Sequence, residues 1–305
     1  MYPKLPLLLL PYIRLELPGW GKLLDLAKVR GNKHNSYWHN APTKTIKGKW
    51  HGYSMQLRLS DWSERLTYFL GRYYELGVQY VLDAVLEPGD RVVDIGGNIG
   101  MITLHAAHLV TETGEVDCFE PNPDCLAIID SNLKENQIKQ VTVHPVGLSD
   151  KKDFLQLSLA SSHTGAATMT KINHVEKYFE VEVAIGDDVV LKNPKNIKLI
   201  KIDVEGFELN VLRGLKKTLN KFKPLLITEC LEETLVRAGT NCEEVGEFLR
   251  DLGYSPYGIT TERKLFQYSL KLVPLEDTLN DNQFNDIFWV HQDNLFHNKL
   301  EKYIT

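Results

Sequence analysis

Short apolar runs and amphipathic segments alternate through the middle of the chain. The run Arg91–Ile95 leads into Met101–Val110, where apolar residues recur at helical spacing. The same alternation continues in Val116–Phe119, Asp124–Glu135, Val141–Val146, Ile197–Ile202, Phe207–Leu219, Pro224–Thr228 and Asp286–His291. Because strands alternate with helices of about 10 to 15 residues, the pattern predicts an α/β fold with a mostly parallel, doubly wound sheet.

The first 70 residues show a different pattern. Residues 1–45 carry scattered Pro, Gly, His and Asn and predict an irregular arm. Thr45–Ser60 alternates as a β-hairpin does, and the residues from Trp62 to Leu70 have helical spacing. We therefore predict an extension over residues 1–70 and a main domain over residues 71–305, with an inserted hairpin at Lys264–Val273.

The apolar run at the N-terminus is too short for a transmembrane helix. Pro6 and Pro11 interrupt it and Arg14 and Glu16 follow it, whereas a span needs about 20 apolar residues. No small-residue cleavage site follows the run, so a signal peptide is not expected. The run is expected to pack on the domain or on a second subunit of a homodimer, or to make a weak contact with a membrane surface.

Charge and cysteine content narrow the class of protein. The formal charge of -5 argues against a nucleic-acid-binding protein, and 43% apolar residues are ordinary for a globular chain. The sequence contains no CxxC pair and no Cys/His spacing suited to zinc; its four cysteines are Cys118, Cys125, Cys230 and Cys242. We expect free thiols in a reducing compartment, the cytoplasm.

A glycine-rich turn after the first of these strands indicates a cofactor site. In Asp94-Ile-Gly-Gly-Asn-Ile-Gly100 the strand ends in an acid and turns into a helix. Ligands of open α/β sheets bind at the carboxyl ends of the strands. The G-x-G-x-x-G spacing is absent, and Asp94 would repel a pyrophosphate but attract the ammonium and sulfonium groups of S-adenosylmethionine. Gly96, Gly97 and Gly100 lack a Cβ atom and would let the backbone approach the ligand closely.

Glu120 adds a second acid to this site. It ends the second strand, 26 residues after Asp94, where a carboxylate can accept both ribose hydroxyls of a nucleoside cofactor. A capping acid and a tight turn without any ligand are the structural alternative. Together, Asp94 and Glu120 predict a site for S-adenosylmethionine.

Four segments of the sequence carry a family resemblance: Val93-Asp-Ile-Gly-Gly-Asn-Ile-Gly100, Phe119-Glu-Pro-Asn-Pro123, Gly147-Leu-Ser-Asp150 and Lys201-Ile-Asp-Val-Glu-Gly-Phe-Glu208. Over roughly residues 55–295 the chain resembles the FkbM family of methyltransferases. The resemblance implies a class I, Rossmann-like fold with a seven-stranded sheet whose last strand is antiparallel. It also implies S-adenosylmethionine as cofactor, with Asn98 and Pro121 beside it, and O-methylation of hydroxyls on sugars, glycolipids or natural products.

Three acids at later strand ends are candidates for the methyl-transfer step. Methyl transfer is an in-line displacement, so a hydroxyl acceptor needs alignment and benefits from a base. Asp203 and Glu205 follow the fourth strand, and Glu229 follows the fifth. They are expected to position or deprotonate the acceptor, or else to hold a divalent cation such as Mg2+ at Asp203 and Glu229. Capping of the next helix is the structural alternative, above all for Glu205.

Four further residues are candidates with equally plain structural alternatives. His163 lies in a Ser/Gly-rich loop, as a base or closing residue or as a solvated histidine. Lys201 shares the strand side of Asp203 and either pairs with a carboxylate or lies at the sheet edge. Glu75 matches a family position and contacts the cofactor unless it is a surface acid. Ser149 ends the third strand near the expected adenine edge, or lies in a turn.

Two other functions stay open at this point. An NAD(P)-dependent oxidoreductase or epimerase would use a similar sheet, and a catalytically silent, methyltransferase-like binding module would keep the fold without the reaction. The partner expected for the methyltransferase is a small-molecule or glycan acceptor. Aromatic residues outside the sheet would either stack on sugar rings or pack the extension: Trp38, Trp50, Tyr53, Trp62, Tyr68, Tyr73 and Tyr74.

Overall fold

The computed structural model describes residues 2–159, 167–169, 177–264, 267–275, 279 and 284–304. These residues form a large, mostly parallel sheet between two layers of helices, a smaller sheet and an N-terminal extension. The predicted α/β, Rossmann-like fold is therefore confirmed. No helix in these ranges is long and apolar enough to cross a bilayer.

The extension contains short helices and one hairpin. Its elements are two 3-10 helices (Leu5–Leu9 and Asn32–His34), α1 (Leu10–Arg14), α2 (Trp20–Leu26), α3 (Asn35–Trp38), β1 (Thr43–Lys47), β2 (Ser54–Arg58) and α4 (Trp62–Leu70). Asp61 caps α4 by accepting a hydrogen bond from the Ser63 backbone N–H at 2.9 Å. The predicted hairpin is confirmed. The prediction of an irregular arm is wrong, because the arm contains α1 to α3, which at four to seven residues are too short to show a clear helical periodicity.

The rest of the chain alternates strands and helices. The elements are α5 (Leu76–Val85), β3 (Arg91–Ile95), α6 (Met101–Val110), β4 (Glu115–Phe119), α7 (Pro123–Glu135), β5 (Val141–His144), β6 (Gly147–Ser149), β7 (Asp153–Leu159), β8 (Ala167–Thr168), β9 (Lys177–Ile185), α8 (Gly186–Val190), β10 (Leu199–Ile202), α9 (Glu208–Gly214), α10 (Lys216–Phe222), β11 (Leu225–Glu229), α11 (Glu232–Arg237), α12 (Cys242–Asp251), β12 (Tyr254–Lys264), β13 (Gln267–Pro274), β14 (Asp286–His291) and α13 (His297–Leu300).

Within the described ranges the large sheet has eight strands, in the order β13-β12-β14-β11-β10-β3-β4-β5. Strands β3, β4, β5, β10 and β11 are parallel, and β14 is antiparallel to its neighbours, as the resemblance implies. The expectation of seven strands is wrong by one, because β13 is an eighth strand at the edge of the sheet. The predicted hairpin near residue 264 adds this strand to the sheet, where it pairs with the outer edge of β12 that would otherwise expose unpaired backbone groups.

Side chains of the central strands alternate between two hydrophobic clusters. Leu199 packs with apolar residues of α5 and α6 on one face of the sheet. Ile200, the next residue, packs with residues of α9 and α12 on the other face. Because successive side chains of a strand point to opposite faces, this alternation buries both faces and leaves the strand ends as the place for polar residues.

A second sheet follows β5, with the described strands in the order β6-β9-β7-β8. It contains the β-like runs predicted between residues 150 and 190. Gly214 at the end of α9 lies against β6, since a Cβ atom there would stand 1.9 Å from the Ser149 carbonyl oxygen. Close packing of α9 thus fixes β6 beside the carboxyl edge of the large sheet.

The extension shares its hydrophobic core with the main sheet's helices. Trp38, Met55 and Phe69 belong to the same buried cluster as Met101 of α6 and Ile129 of α7. Ile13 of the N-terminal apolar run is a buried member of the same cluster, so this run packs on the domain, which is one of the alternatives expected for it.

A buried arginine organises the extension from within. The Arg65 guanidinium donates hydrogen bonds to the carbonyl oxygens of Val29 (2.9 Å) and Leu59 (2.8 Å) and to Asn35 Oδ1 (3.1 Å). It also lies over the Trp38 ring, 5.4 Å from its centroid. Since Arg65 is on α4, these contacts hold the arm against the helix that borders the site described next.

Candidate active site

The carboxyl ends of β3, β4, β10 and β11 surround a cavity of about 320 Å³. Residues expected from separate sequence motifs meet in its wall: Glu75, Asp94, Gly96, Gly97, Asn98, Glu120, Pro121, Asp203, Glu205 and Glu229. The second sheet and helix α4 close the cavity from other sides, through residues such as Leu148 and Trp62.

Gly96 and Gly97 let two loops of the protein approach each other. Gly96 has φ +82°, and a Cβ atom there would lie 1.8 Å from the backbone oxygen of Asp203. A Cβ atom on Gly97 would lie 2.3 Å from Cys118 Sγ. The glycines are therefore required by loop packing inside the protein, in addition to any close approach to a ligand.

Asp94 is fully buried at the end of β3. Its Oδ2 accepts a hydrogen bond from the Thr103 hydroxyl at 2.5 Å, whereas its Oδ1 has no partner among the described residues. Burial raises the pKa of Asp94, although the Lys201 ammonium and the Thr103 hydroxyl oppose this shift. An unsatisfied, buried carboxylate oxygen is costly by itself, so this atom fits a ligand that supplies a positive charge or a donor.

Glu120 joins the two loops on the β3 and β4 side. Its Oε2 accepts from the backbone N–H of Asn98, and its Oε1 from that of Asn122, each at 2.7 Å. Burial raises the pKa of Glu120 to about 7 against these two bonds. A carboxylate oxygen can accept more than one hydrogen bond, so Glu120 can still accept hydrogen bonds from a ligand in the cavity.

Two predicted residues lie outside the described cavity wall. Gly100 is the N-terminal cap residue of α6, with Ile129 next to its missing Cβ position, and does not belong to the described cavity wall. Ser149 is fully buried at the end of β6, outside the described wall, because β6 turns into the second sheet instead of ending at the cavity. Gly147 and Leu148, just before it, do line the cavity. His163 lies outside the described residues.

Asp203, Glu205 and Glu229 form one cluster. Each offers a carboxylate oxygen, and these oxygens lie within 4.8 Å of one another. Burial, followed by the charge of Asp203, raises the pKa of Glu205 to about 8 and also raises that of Glu229. Three ionised carboxylates at this separation would repel one another. Either at least one of them holds a proton, or a cation lies between them.

Glu205 does not take the helix-capping role considered for it, because α9 has no side-chain cap hydrogen bond at its N-terminus. Glu208 Oε1 accepts hydrogen bonds from the backbone N–H groups of Val204 (3.0 Å) and Gly206 (3.2 Å), which shapes the turn before α9. Glu205 has the left-handed φ of +54°, which is uncommon for a residue with a side chain. The turn therefore holds Glu205 at the cavity, and the Glu205 carboxyl is free of the capping contact.

Lys201 is a buried cation between the acids. Its Nζ donates to Asp203 Oδ2 at 2.7 Å. Burial lowers the pKa of Lys201, but Asp203, Asp94 and Glu75 together outweigh burial and raise it. The alternative of a residue at the sheet edge is excluded by its position on the central strand β10.

Sequence patterns missed Asp286 at this site. β14 runs antiparallel, so its first residue stands opposite Glu229, the last residue of β11. Burial, then the charge of Glu75, raises the pKa of Asp286. The sequence does show an acid at the start of the last strand. This acid lies at the carboxyl edge of the parallel strands only if the last strand runs antiparallel to them, and the sequence pattern does not give that direction.

Two of the aromatic candidates lie beside Glu75. Tyr73 and Tyr74 line the cavity, and burial followed by the nearby Glu75 carboxylate raises the pKa of both phenols. Trp62 also lines the cavity, whereas Trp38 is buried in the extension core. Core packing therefore explains Trp38, and Trp62, Tyr73 and Tyr74 present aromatic surface to the site.

The charged residues that line the cavity are mainly acidic. Lys201 is the one basic side chain in its described wall, whereas eight acidic residues contribute: Glu64, Glu75, Asp94, Glu120, Asp203, Glu205, Glu229 and Asp286. Such a lining favours cationic ligand groups and disfavours phosphates.

Comparison with known proteins identifies the family. The model of the methyltransferase FkbM domain matches residues 94–256, just over half of the chain. The chain belongs to the FkbM methyltransferase family. The match runs from Asp94 through the acid cluster to β12, so it contains most of the described cavity wall.

The individual proteins that resemble this chain are distant from it in sequence. Methyltransferase 1 of Beauveria bassiana is 29% identical over 162 residues, which cover 46% of this chain and 65% of the relative, just under two thirds. The hexuronic acid methyltransferase AglP of Haloferax volcanii is 30% identical over 181 residues, covering 57% and 69%. The crystal structure of methyltransferase FkbM from Methylobacillus flagellatus has a TM-score of 0.41 at 14% identity, covering 75% of this chain and 53% of that chain.

Glu205→Gln tests the charge repulsion in the acid cluster of this FkbM protein. The folded-state pKa of Glu205 is about 8 and the ordinary value is 4.5. Its ionisation therefore destabilises the fold increasingly as pH rises through this window, because the unfolded chain ionises first. We expect the glutamine variant to gain roughly 1 to 3 kcal/mol over wild type between pH 5 and pH 9.

Thermal unfolding of the apo protein in the presence of a chelator measures this difference. Glu233→Gln, at an exposed position, is the control and should show no such trend. A Glu205→Gln advantage that is equal at pH 5 and pH 9 would contradict the proposed repulsion.

Proposed function

We propose that this chain is an S-adenosylmethionine-dependent O-methyltransferase acting on a hydroxyl of a sugar, glycolipid or natural product. The acidic cavity at the carboxyl edge of the sheet carries this proposal. The nucleoside cofactor of a methyltransferase carries a sulfonium and an ammonium, which eight acidic side chains favour. The pyrophosphate of NAD(P) would be repelled by the same side chains.

The residues present fit that cofactor. Asp94 Oδ1 is buried without a partner among the described residues and suits the ammonium of the methionine part. Glu120, on the adjoining loop, suits the ribose hydroxyls, and Asn98 and Pro121 border the same space. When bound, the cofactor supplies an electrophilic methyl carbon, so the protein has to align an acceptor oxygen with it and accept a proton.

The acid cluster suits the acceptor side of the reaction. Lys201 holds Asp203 in place at 2.7 Å, and Glu205 has a pKa of about 8, close to the value that suits a general base near neutral pH. We assign Asp203 to orienting the acceptor hydroxyl and the cluster of Asp203, Glu205 and Glu229 to taking its proton. His163 stays a candidate for closing over the acceptor.

The charge of the cavity also bears on the acceptor. A carboxylate acceptor would add a negative charge to the eight acids, whereas a hydroxyl is neutral until it is deprotonated. Trp62, Tyr73 and Tyr74 offer aromatic faces of the kind on which sugar rings stack. For this chain we therefore favour a hydroxyl on a glycan, although one relative is named for hexuronic acid methylation.

A divalent cation is a second candidate for the acid cluster. The oxygens of Asp203, Glu205 and Glu229 lie within 4.8 Å of one another, a spacing that fits an oxygen-ligated ion such as Mg2+. Such an ion would polarise the acceptor oxygen. Lys201 already neutralises part of the same negative charge and would repel a second cation, so the observed contacts favour a cluster without a metal ion.

Calorimetric titration tests the cofactor. We expect S-adenosylhomocysteine to bind and NAD not to bind. Asp94→Asn should weaken binding of S-adenosylhomocysteine by roughly 1 to 3 kcal/mol, the scale of a lost charge-assisted hydrogen bond. Asp188→Asn, at an exposed aspartate outside the described wall, is the matched control. Binding of NAD alone, or an unchanged affinity in Asp94→Asn, would overturn the assignment.

Asp203→Asn tests the role of the acid cluster in turnover. Asparagine keeps an oxygen acceptor for Lys201 but cannot take a proton, so we expect turnover to fall roughly 100-fold or more with little change in S-adenosylhomocysteine affinity. Turnover is measured by mass spectrometry on a panel of sugars, glycolipids and macrolides. Near-normal turnover would defeat the assigned role, and the absence of any product from the wild type would favour a silent binding module.

A chelator distinguishes an acid cluster that is balanced by bound protons from one that is balanced by a divalent cation. We expect EDTA to leave turnover unchanged, because Lys201 and bound protons balance the acids. A loss of turnover that Mg2+ restores would assign the cluster to a divalent cation instead, and Glu229→Gln would then raise the Mg2+ concentration required.

A further inference from the structure

The first helical turns present apolar side chains to solvent. Leu5, Leu8 and Leu15 are 77%, 75% and 69% exposed, and Tyr12 is also exposed. Their positions are spaced by three, four and three residues, so they share one side of the helical segment Leu5–Arg14. We call Leu5, Leu8, Tyr12 and Leu15 the leucine face. A surface helix of a globular protein normally turns such a stripe toward the core, so its outward orientation needs an explanation.

The outward orientation is held by contacts on the opposite side. Pro6 and Ile13 are buried against the extension. Arg14 donates to the Tyr68 carbonyl at 3.1 Å, and Arg72 holds both carboxylate oxygens of Glu16, at 3.0 and 3.1 Å. The segment therefore cannot rotate its leucines inward without breaking a buried ion pair.

Charge is divided unevenly between residues 1–50, which contain the arm and strand β1, and the rest of the chain. Residues 1–50 carry nine basic and two acidic side chains, a formal charge of +7, whereas residues 51–305 carry -12. Such asymmetry suggests that the arm meets an anionic partner. The nine basic residues are Lys4, Arg14, Lys22, Lys28, Arg30, Lys33, Lys44, Lys47 and Lys49.

Exposed lysines accompany the exposed leucines. Lys4 precedes Leu5 and is itself exposed. On α2, Lys22 and Leu26 are both exposed and lie four residues apart, so they share one side of that helix. Apolar side chains beside basic ones match the boundary between acyl chains and phosphate headgroups.

We propose that the leucine face docks on an anionic lipid surface. The leucines enter the acyl boundary, and the lysines of the arm lie among the phosphates. A second copy of the chain fits less well, because two N-terminal segments of formal charge +7 that meet face to face repel each other. This proposal goes beyond methyl transfer and does not depend on it.

The docking surface lies close to the cavity. Helix α4 packs against α1 and also contributes Trp62, Ser63, Glu64 and Thr67 to the cavity wall. Two packed helices, α1 and α4, therefore lie between the leucine face and the site, a thickness of about 20 Å. A lipid-bound chain would hold its cavity near the headgroups.

Vesicle flotation of the full chain tests the proposal. We expect binding to phosphatidylcholine vesicles that contain phosphatidylglycerol to be at least about tenfold tighter than to phosphatidylcholine alone, and to weaken at high salt. Leu5→Ser combined with Leu8→Ser should weaken binding about tenfold or more, since two apolar side chains no longer enter the lipid. Lys22→Gln combined with Lys28→Gln should weaken binding and reduce its salt dependence.

Leu295→Ser is the matched control, because Leu295 is 82% exposed but lies outside the arm. Its lipid binding should equal that of the wild type. All variants should keep the wild-type melting temperature and S-adenosylhomocysteine titration, which separates loss of docking from misfolding or failure of the proposed function. The proposal would be overturned if the wild-type chain did not bind anionic vesicles, or if Leu295→Ser weakened vesicle binding as much as the double leucine variant does. If the wild type forms a dimer without lipid and the double variant Leu5→Ser with Leu8→Ser does not, the leucine face would instead be assigned to contact with a second copy of the chain.

Discussion

The buried ammonium group of Lys201 is the interaction on which the centre of this protein depends. It donates to Asp203 at 2.7 Å, and Asp94 and Glu75 also help to keep it charged. The described cavity wall otherwise contains only acids among its charged residues. Removal of one partner from a buried group of charges leaves the others uncompensated, which costs several kcal/mol. Lys201 thus allows an acidic pocket for a cationic cofactor to exist inside a folded protein before any ligand binds.

Backbone packing couples the proposed cofactor side of the cavity to the proposed acceptor side. The missing Cβ of Gly96 makes room for the Asp203 carbonyl, so the loops after β3 and β10 are in direct contact. Glu208 fixes the second loop by binding two of its backbone N–H groups. Because the geometry of an in-line displacement tolerates little error, a contact that sets the distance between these loops serves the reaction directly.

The extension and the main domain share one hydrophobic core and one cavity wall. Its core includes residues of α6 and α7, and its helix α4 forms part of the cavity wall. The buried guanidinium of Arg65 holds the arm to α4, and the arm in turn carries the leucine face. A contact made by the arm with lipid is therefore connected through packed side chains to the helix that borders the cavity.

Local sequence patterns determined the alternating elements, the acids Asp94, Glu120, Asp203 and Glu229, and the glycine turn, because residue type and spacing mark the end of a parallel strand directly. Only the tertiary structure brought Asp286 to the site, since its place depends on β14 running antiparallel to β11. It also placed Ser149 in a second sheet, gave Glu208 the contacts that shape the turn before α9 and added β13 to the large sheet. Spacing along a chain records which residues end an element, whereas the direction and neighbours of that element are set by pairing between distant segments.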